Sequence, residues 1–419
     1  MTEQLKPTIE IHPLKKMILA KNKSQMDFLV RILAPKSGIK TKRPTLNLGL
    51  VLDRSGSMGG SKIQKAKEAT SYCLDQMLET DRFSLTIFDN EIDVIVPSVH
   101  PKNRSKIKSV INTIEARSTT ALHPAWVQGG KQVASHLDSK MLNRVILITD
   151  GLANAGETNT DVIVTQAKGL YEHGISTTTI GVGNDFNEEL LVPMAQSGGG
   201  NNWFVESAKD FQRIFETEME GLVRERFSNV LMEIEPENGV EILEVMNDFE
   251  RDFENKFILP NLVDEEPLDI IVRTQLPARD TGIHRIFKIN LEWNLIGNDT
   301  RQNIKMPASI EYAEKIEGEN EKEYFQVQKV IKLLEAARIK RQAIAQLDNG
   351  DYMGSSQTLQ AIAPMMRDLA EQYDDDELAA EANYLDEFSD KVQVREERAY
   401  SRKSMRYSSI NTQRGKKVR

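Results

Sequence analysis

Between residues 45 and 222 the chain alternates short, nearly continuous apolar runs with segments of helical spacing. "LNLGLVLD", "NRVILITD" and "ISTTTIGVG" read as strands covered on both faces. "DRFSLTIFD", "DVIVPSV" and "NNWFVE" add shorter strands. "KIQKAKEATSYCLDQML", "NRSKIKSVINTIEA", "PAWVQGGKQVASHL", "TDVIVTQAKGLYEHG", "NEELLVPMAQSGGG" and "AKDFQRIFETEMEGL" are spaced as helices. Strands and helices in alternation predict an α/β domain with a doubly wound, mostly parallel, Rossmann-like sheet.

The flanking segments have a different period. In "MDFLVRIL", Met26, Phe28, Val30 and Ile32 fall on one face. In "HRIFKINLEWNLI", Phe287, Ile289, Leu291, Trp293 and Leu295 do the same, and "NVLMEIE" follows suit. Period two predicts half-buried antiparallel strands. About forty N-terminal residues are too few for a sheet of their own. The expectation is therefore one discontinuous, β-sandwich-like domain from residues 1–44 and 223–312, with the α/β domain of residues 45–222 inserted. Strand signals stop after that. Residues 313–395 predict a helical region: "FQVQKVIKLLEAARIKRQAIAQL", then "GSSQTLQAIAPMMRDLAEQ" beyond a "DNGDYM" turn, then "DDELAAEANYLDEFSDKVQV". Residues 396–419 are basic and almost free of aliphatic side chains, which predicts a mobile tail.

Composition narrows the class. A chain of 419 residues suits two or three domains, and 39% hydrophobic with 28% charged residues suits a packed globular protein. A net charge of −9 argues mildly against a general nucleic-acid binder and leaves two equal readings of the basic tail: a contact for nucleic acid or acidic lipid, and a flexible end that docks on the acidic body. The single cysteine, Cys73, cannot form an internal disulfide, which fits a reducing compartment. The start, "MTEQLKPTIEIHP", has no signal-peptide pattern, and no apolar run is long enough to span a bilayer. The expectation is a cytoplasmic protein without membrane insertion.

The chemistry centres on "LVLDRSGSMGGSK", residues 50–62. A phosphate loop fails on register, because G-x-x-x-x-G-K-[ST] from Gly56 requires glycine where Ser61 stands. Two apolar strands end in aspartate, at Asp53 and at Asp150, and ligands of doubly wound sheets bind beyond the carboxyl ends of strands. Ser55 and Ser57 leave the first strand, and Thr119 and Thr120 precede the helix that begins near Pro124. Two carboxylates and three hydroxyls suit a hard cation with oxygen ligands, Mg²⁺ first, with Mn²⁺ or Ca²⁺ as alternatives. If the hydroxyls bind directly, the ion keeps much of its charge and attracts an outside carboxylate. The competing reading of "DRSGSM" is ordinary turn chemistry. His123 has no histidine or cysteine partner at metal-like spacing and is expected to cap or pack near its helix; Cys73 is expected to be buried filler.

"DRSGSM", the threonine of "STTAL" and "TDG" at residues 149–151 resemble the von Willebrand factor A domain and its metal-ion-dependent adhesion site, over roughly residues 45–221. The arrangement with flanking β segments and C-terminal helices is similar to that of uncharacterised bacterial intracellular members. The resemblance implies that Ser55, Ser57 and Thr120 coordinate the metal and that Asp53 and Asp150 hold it directly or through water. Thr120 is preferred to Thr119 because it stands immediately before "AL". It further implies a non-enzymatic module whose Mg²⁺ receives an Asp or Glu of a protein partner. Two rivals are a regulatory or scaffold subunit of an ATPase machine, and a metal-dependent hydrolase. Against the hydrolase, the sequence offers no general base, no second metal set and no phosphate loop.

Overall fold

The computed structural model describes residues 6–35, 44–117, 121–151, 157–183, 186–205, 210–296, 300–318 and 322–415. Two compact units emerge: Met1–Ser37, Phe227–Trp293 and Arg301–Arg419 form one, Gly38–Arg226 and Asn294–Thr300 the other. Among the described residues no helix is long and apolar enough to cross a membrane.

The first unit opens with β1 (Thr8–Pro13), β2 (Met17–Leu19) and β3 (Ser24–Leu33). The chain then builds all of the second unit except Asn294–Thr300. Its strands are β4 (Thr45–Asp53), β5 (Arg82–Phe88), β6 (Ile92–Val99), β7 (Met141–Thr149), β8 (Ile175–Val182) and β9 (Gly199–Val205). Its helices are α1 (Ser61–Gln76), α2 (Arg104–Asn112), α3 (Leu122–Ala134), α4 (Thr160–Glu172), α5 (Glu188–Ser197) and α6 (Asp210–Arg224). The sheet order is β6-β5-β4-β7-β8-β9, parallel throughout except for β6. The chain runs outward from β4 to one edge and then crosses to β7, so the order reverses between β4 and β7. That is where a doubly wound sheet opens a crevice.

Both faces of β4 are covered, which explains its unbroken apolar run. Leu46, Leu48, Leu50 and Leu52 pack with Ile63 and Cys73 of α1 and Phe215 of α6. Val51 packs on the other face with Trp126 and Val133 of α3. Helix α3 approaches closely: a Cβ on Gly129 would lie 2.2 Å from Val51 Cγ2. Glycine is required there for contact, not for backbone freedom.

The first unit resumes with β10 (Glu225–Pro236), β11 (Glu241–Val245), β12 (Phe257–Ile258), β13 (Leu262–Val263), β14 (Leu268–Leu276), β15 (Gly282–Leu295) and β16 (Arg301–Ala313). One sheet has the order β1-β3-β14-β11, the other β12-β10-β15-β16-β2, with β13 against β10. Phe28 on β3 and Phe287 on β15 meet edge to face, centroids 5.3 Å apart, so the two sheets form a sandwich. The alternation read in β3 understates its burial. Phe28, Leu29 and Val30 are all buried, because Leu29 and Ile271 also pack against Val327 and Ile331 of α7 (Phe325–Asp348).

The helical region departs from expectation in two places. The single helix expected over "GSSQTLQAIAPMMRDLAEQ" is α8 (Tyr352–Gln360) followed by α9 (Ala363–Tyr373), with Pro364 in the first turn of α9. Proline has no N–H for the preceding turn and starts a new helix. After α10 (Asp376–Lys391), the stretch expected as a mobile basic tail is helix α11 (Arg398–Gln413). It packs on α7 through small polar groups: Ser409 Oγ donates to the Ala337 carbonyl at 2.9 Å, and Lys340 Nζ donates to Ser408 Oγ at 2.6 Å. Only Met405 adds a buried apolar side chain, so composition hides the buried face.

Candidate metal centre

The end of β4 delivers Asp53 into the crevice with no exposed surface. The register aligns Leu52 with Ile148 of β7, so Asp53 and Thr149 follow side by side. Thr149 Oγ1 donates to Asp53 Oδ2 at 2.5 Å, and the Ser55 amide donates to Asp53 Oδ1 at 2.7 Å. The chain then makes one tight 3-10 turn, Gly56–Met58, anchored by the buried Met58. Gly60 takes φ +71°, a left-handed conformation natural to glycine, and α1 begins at the next residue.

That turn places the serines. Ser55 Oγ and Ser57 Oγ are 3.1 Å apart, and Ser57 Oγ donates to Asp150 Oδ1 at 2.7 Å. Ser55 and Asp150 are buried, while Ser57 is exposed and forms the open side. Asp53, Ser55, Ser57 and Asp150 are therefore linked in one hydrogen-bonded chain, from Asp53 through the Ser55 amide and then through both hydroxyls. Burial pushes the Asp53 carboxyl up to about 6, against the hydrogen bonds from Thr149 and Ser55 and with help from nearby Asp150.

Thr120 lies outside the described residues, but the residues on either side of 118–120 are anchored at the centre. The Arg117 amide donates to the Arg54 carbonyl and the Ala121 amide to the Asp89 carbonyl, both at 2.7 Å. Asp89, fully buried just past β5, pairs with Arg54 at 3.1 Å and with Arg117 at 2.7 Å. Burial pushes the Asp89 carboxyl up, but the Glu91 amide and the two guanidiniums outweigh it and hold it below the usual carboxylate range.

The donor set fits a hard cation. Among the described residues no three His, Cys, Asp or Glu side chains cluster as a metal cage, and the oxygen donors brought together here are two carboxylates and two hydroxyls. Such a set favours Mg²⁺-like ions over Zn²⁺-like ones. Residues 47–217 match the family model of the von Willebrand factor type A domain. This segment is a von Willebrand factor type A domain. Beyond the A domain, the whole fold is similar to the structure of a von Willebrand factor type A protein from Catenulispora acidiphila, at TM-score 0.69 and 16% identity over 93% of this chain and 91% of that one. Among curated sequences, uncharacterized protein YfbK of Escherichia coli K12 is 24% identical over 46% of this chain and 34% of its own length. Uncharacterized protein sll0103 of Synechocystis is 25% identical over 50% of this chain and 50% of its own. The chain thus spans half or less of these two relatives.

Two features of the A-domain centre were not read from the sequence. In the sequence Thr149 stands only as the first residue of "TDG", with no role of its own, yet it is the hydroxyl that holds Asp53. Lys62 was read as helix, yet its Nζ donates to Asp150 Oδ2 at 2.5 Å. A signal for it existed: a lysine in the first turn of a helix stands at the wrong end of the dipole and calls for a local anion. His123 pairs with Gln166 at 2.7 Å instead of with a ligand. Cys73 is fully buried beside Met219, and burial pushes its thiol up to about 12, far from a reactive thiolate.

Proposed function

We propose that the A domain is a cation-dependent protein-binding module in which Asp53, Ser55, Ser57 and Asp150, with Thr120, hold a divalent ion, Mg²⁺ first. The hydrogen-bonded chain from Asp53 through Ser55 and Ser57 to Asp150 carries this reading. When bound, the ion supplies a site of positive charge at the open, Ser57 side, and a partner's Asp or Glu is its natural complement. The residues of the chain orient and hold. Asp53 is fixed by Thr149 and the Ser55 amide, Asp150 by Ser57 and Lys62, so neither carboxylate is free to act as a general base. The protein is therefore read as a binding module and not as an enzyme. Its one thiol, buried and unpaired, fits a cytoplasmic setting.

The test is a titration of the full chain with Mg²⁺ and Mn²⁺ by calorimetry, with thermal melting alongside. A ligand at a hundredfold excess over its dissociation constant stabilises the folded state by about 2.7 kcal/mol. Wild type should melt higher in cation than in chelator, and Ser57→Ala should lose most of the difference. A random peptide display library panned in Mn²⁺ and eluted with chelator should converge on an Asp or Glu. No heat and no melting shift at millimolar cation, in wild type and in Lys62→Met alike, would overturn the metal centre, and chelator-eluted peptides without a common acid would overturn the carboxylate.

A further inference from the structure

Lys62 enters the cation reading only as a hold on Asp150, yet its position is costly. It is the second residue of α1, whose first turn holds no acidic residue. A cation there opposes the helix dipole. Its ammonium is nevertheless held by Asp150 Oδ2 at 2.5 Å, while Oδ1 of the same carboxylate takes the Ser57 hydroxyl at 2.7 Å. The stem passes over Gly183, just beyond β8. A Cβ at that position would lie 3.3 Å from Lys62 Nζ and 3.4 Å from Cε, and Gly183 also takes φ +70°. The positive φ calls for glycine at 183, and the end of the lysine lies against it.

We propose that Lys62 is a tethered counter-cation that competes with the divalent ion for Asp150 and so sets the cation concentration at which the centre loads. This rests on the cation reading above and adds its regulation. Asp53, Asp150 and Lys62 together carry two negative charges and one positive, a net of one negative. A divalent ion added with Lys62 in place makes the sum one positive; with Lys62 withdrawn, the sum is zero. Like charges a few ångströms apart repel strongly where water is scarce. Lysine answers that repulsion readily, because its charge sits at the end of a flexible four-carbon stem. Its side chain is 27% exposed, so a route to solvent exists. Loading therefore exchanges one cation for another on Asp150, and the freed ammonium stays tethered near the rim where an incoming carboxylate arrives.

The experiment is Mn²⁺ titration of the full chain by calorimetry, comparing wild type with Lys62→Met, Lys62→Gln and Lys62→Arg, and with melting in chelator as a second readout. Lys62→Met should lower the Mn²⁺ dissociation constant at least tenfold, and Lys62→Arg should stay near wild type. In chelator, Lys62→Met should melt below wild type, because Asp150 has lost its counter-charge. Lys62→Gln keeps length and polarity, and serves if Lys62→Met does not fold. Wild type silent with Lys62→Met binding Mn²⁺ would support the proposal in its strongest form. Wild type binding Mn²⁺ with no tightening in either neutral variant would overturn the proposal and leave the metal centre standing. Silence in wild type and in both neutral variants would overturn the metal centre itself.

Discussion

Replacing Asp53 by asparagine should stabilise the protein in chelator while abolishing its response to divalent cations. The buried carboxyl is raised from 3.8 to about 6, chiefly by burial. At pH 7, above both values, that difference corresponds to about 3 kcal/mol of destabilisation, at roughly 1.4 kcal/mol per unit. The amide removes the charge and keeps an acceptor for the Ser55 amide. Thr149 Oγ1, which already accepts from the Gly151 amide at 3.1 Å, must turn to accept from the new NH₂ as well. Allowing for that, the gain should be about 1–3 kcal/mol, and each kcal/mol moves the melting temperature of a domain this size by about 2–4 °C. The sign with pH follows from linkage. A carboxyl raised in the folded state favours folding below its unfolded value and loses that contribution as pH rises through about 6. The gap between variant and wild type in chelator should therefore be widest at pH 7 and narrow towards pH 4. Calorimetric melting across that range, with and without Mn²⁺, measures both effects. An Asp53→Asn protein that melts below wild type in chelator at pH 7 would refute the reasoning, since the buried charge would then be stabilised by its surroundings.

Arg144 is fully buried between Glu218 and Glu225, at 3.2 Å and 3.1 Å; Arg144→Met leaves both carboxylates buried without their cation and should cost about 3–5 kcal/mol by urea denaturation. Gly129→Ala drives a methyl into Val51 across the α3–β4 contact and should cost at least about 1–3 kcal/mol, whereas Gly130→Ala next to it meets nothing nearer than 3.4 Å and should melt close to wild type.

Much of the fold was legible because it is written in local period. The runs ending at Asp53 and Asp150 are mostly apolar, as a doubly covered strand requires, with Asn47, Asn143 and Arg144 the buried polar exceptions, and the motif residues Ser55 and Ser57 follow the first within one turn. Chain order alone, however, does not make β4 and β7 neighbours. Eighty-seven residues of chain, 54 to 140, separate Asp53 from the start of β7, and only the crossover brings Thr149 beside Asp53.

What the tertiary structure decided shares one physical cause: a contact between distant residues leaves no mark in the spacing of either. Lys62 reads as helix surface until Asp150, 88 positions away, is folded against it. Arg144 reads as a polar interruption in a strand until Glu218 and Glu225 close over it. Helix α11 reads as tail because serine and lysine are polar by composition, and only α7 turns Ser408 and Ser409 into a buried, hydrogen-bonded face. Periodicity reports which residues seek burial, since hydrophobic transfer is a property of each side chain. It is silent on buried polar partners, whose stability comes from pairing and hydrogen bonding that exist only once the chain has closed on itself.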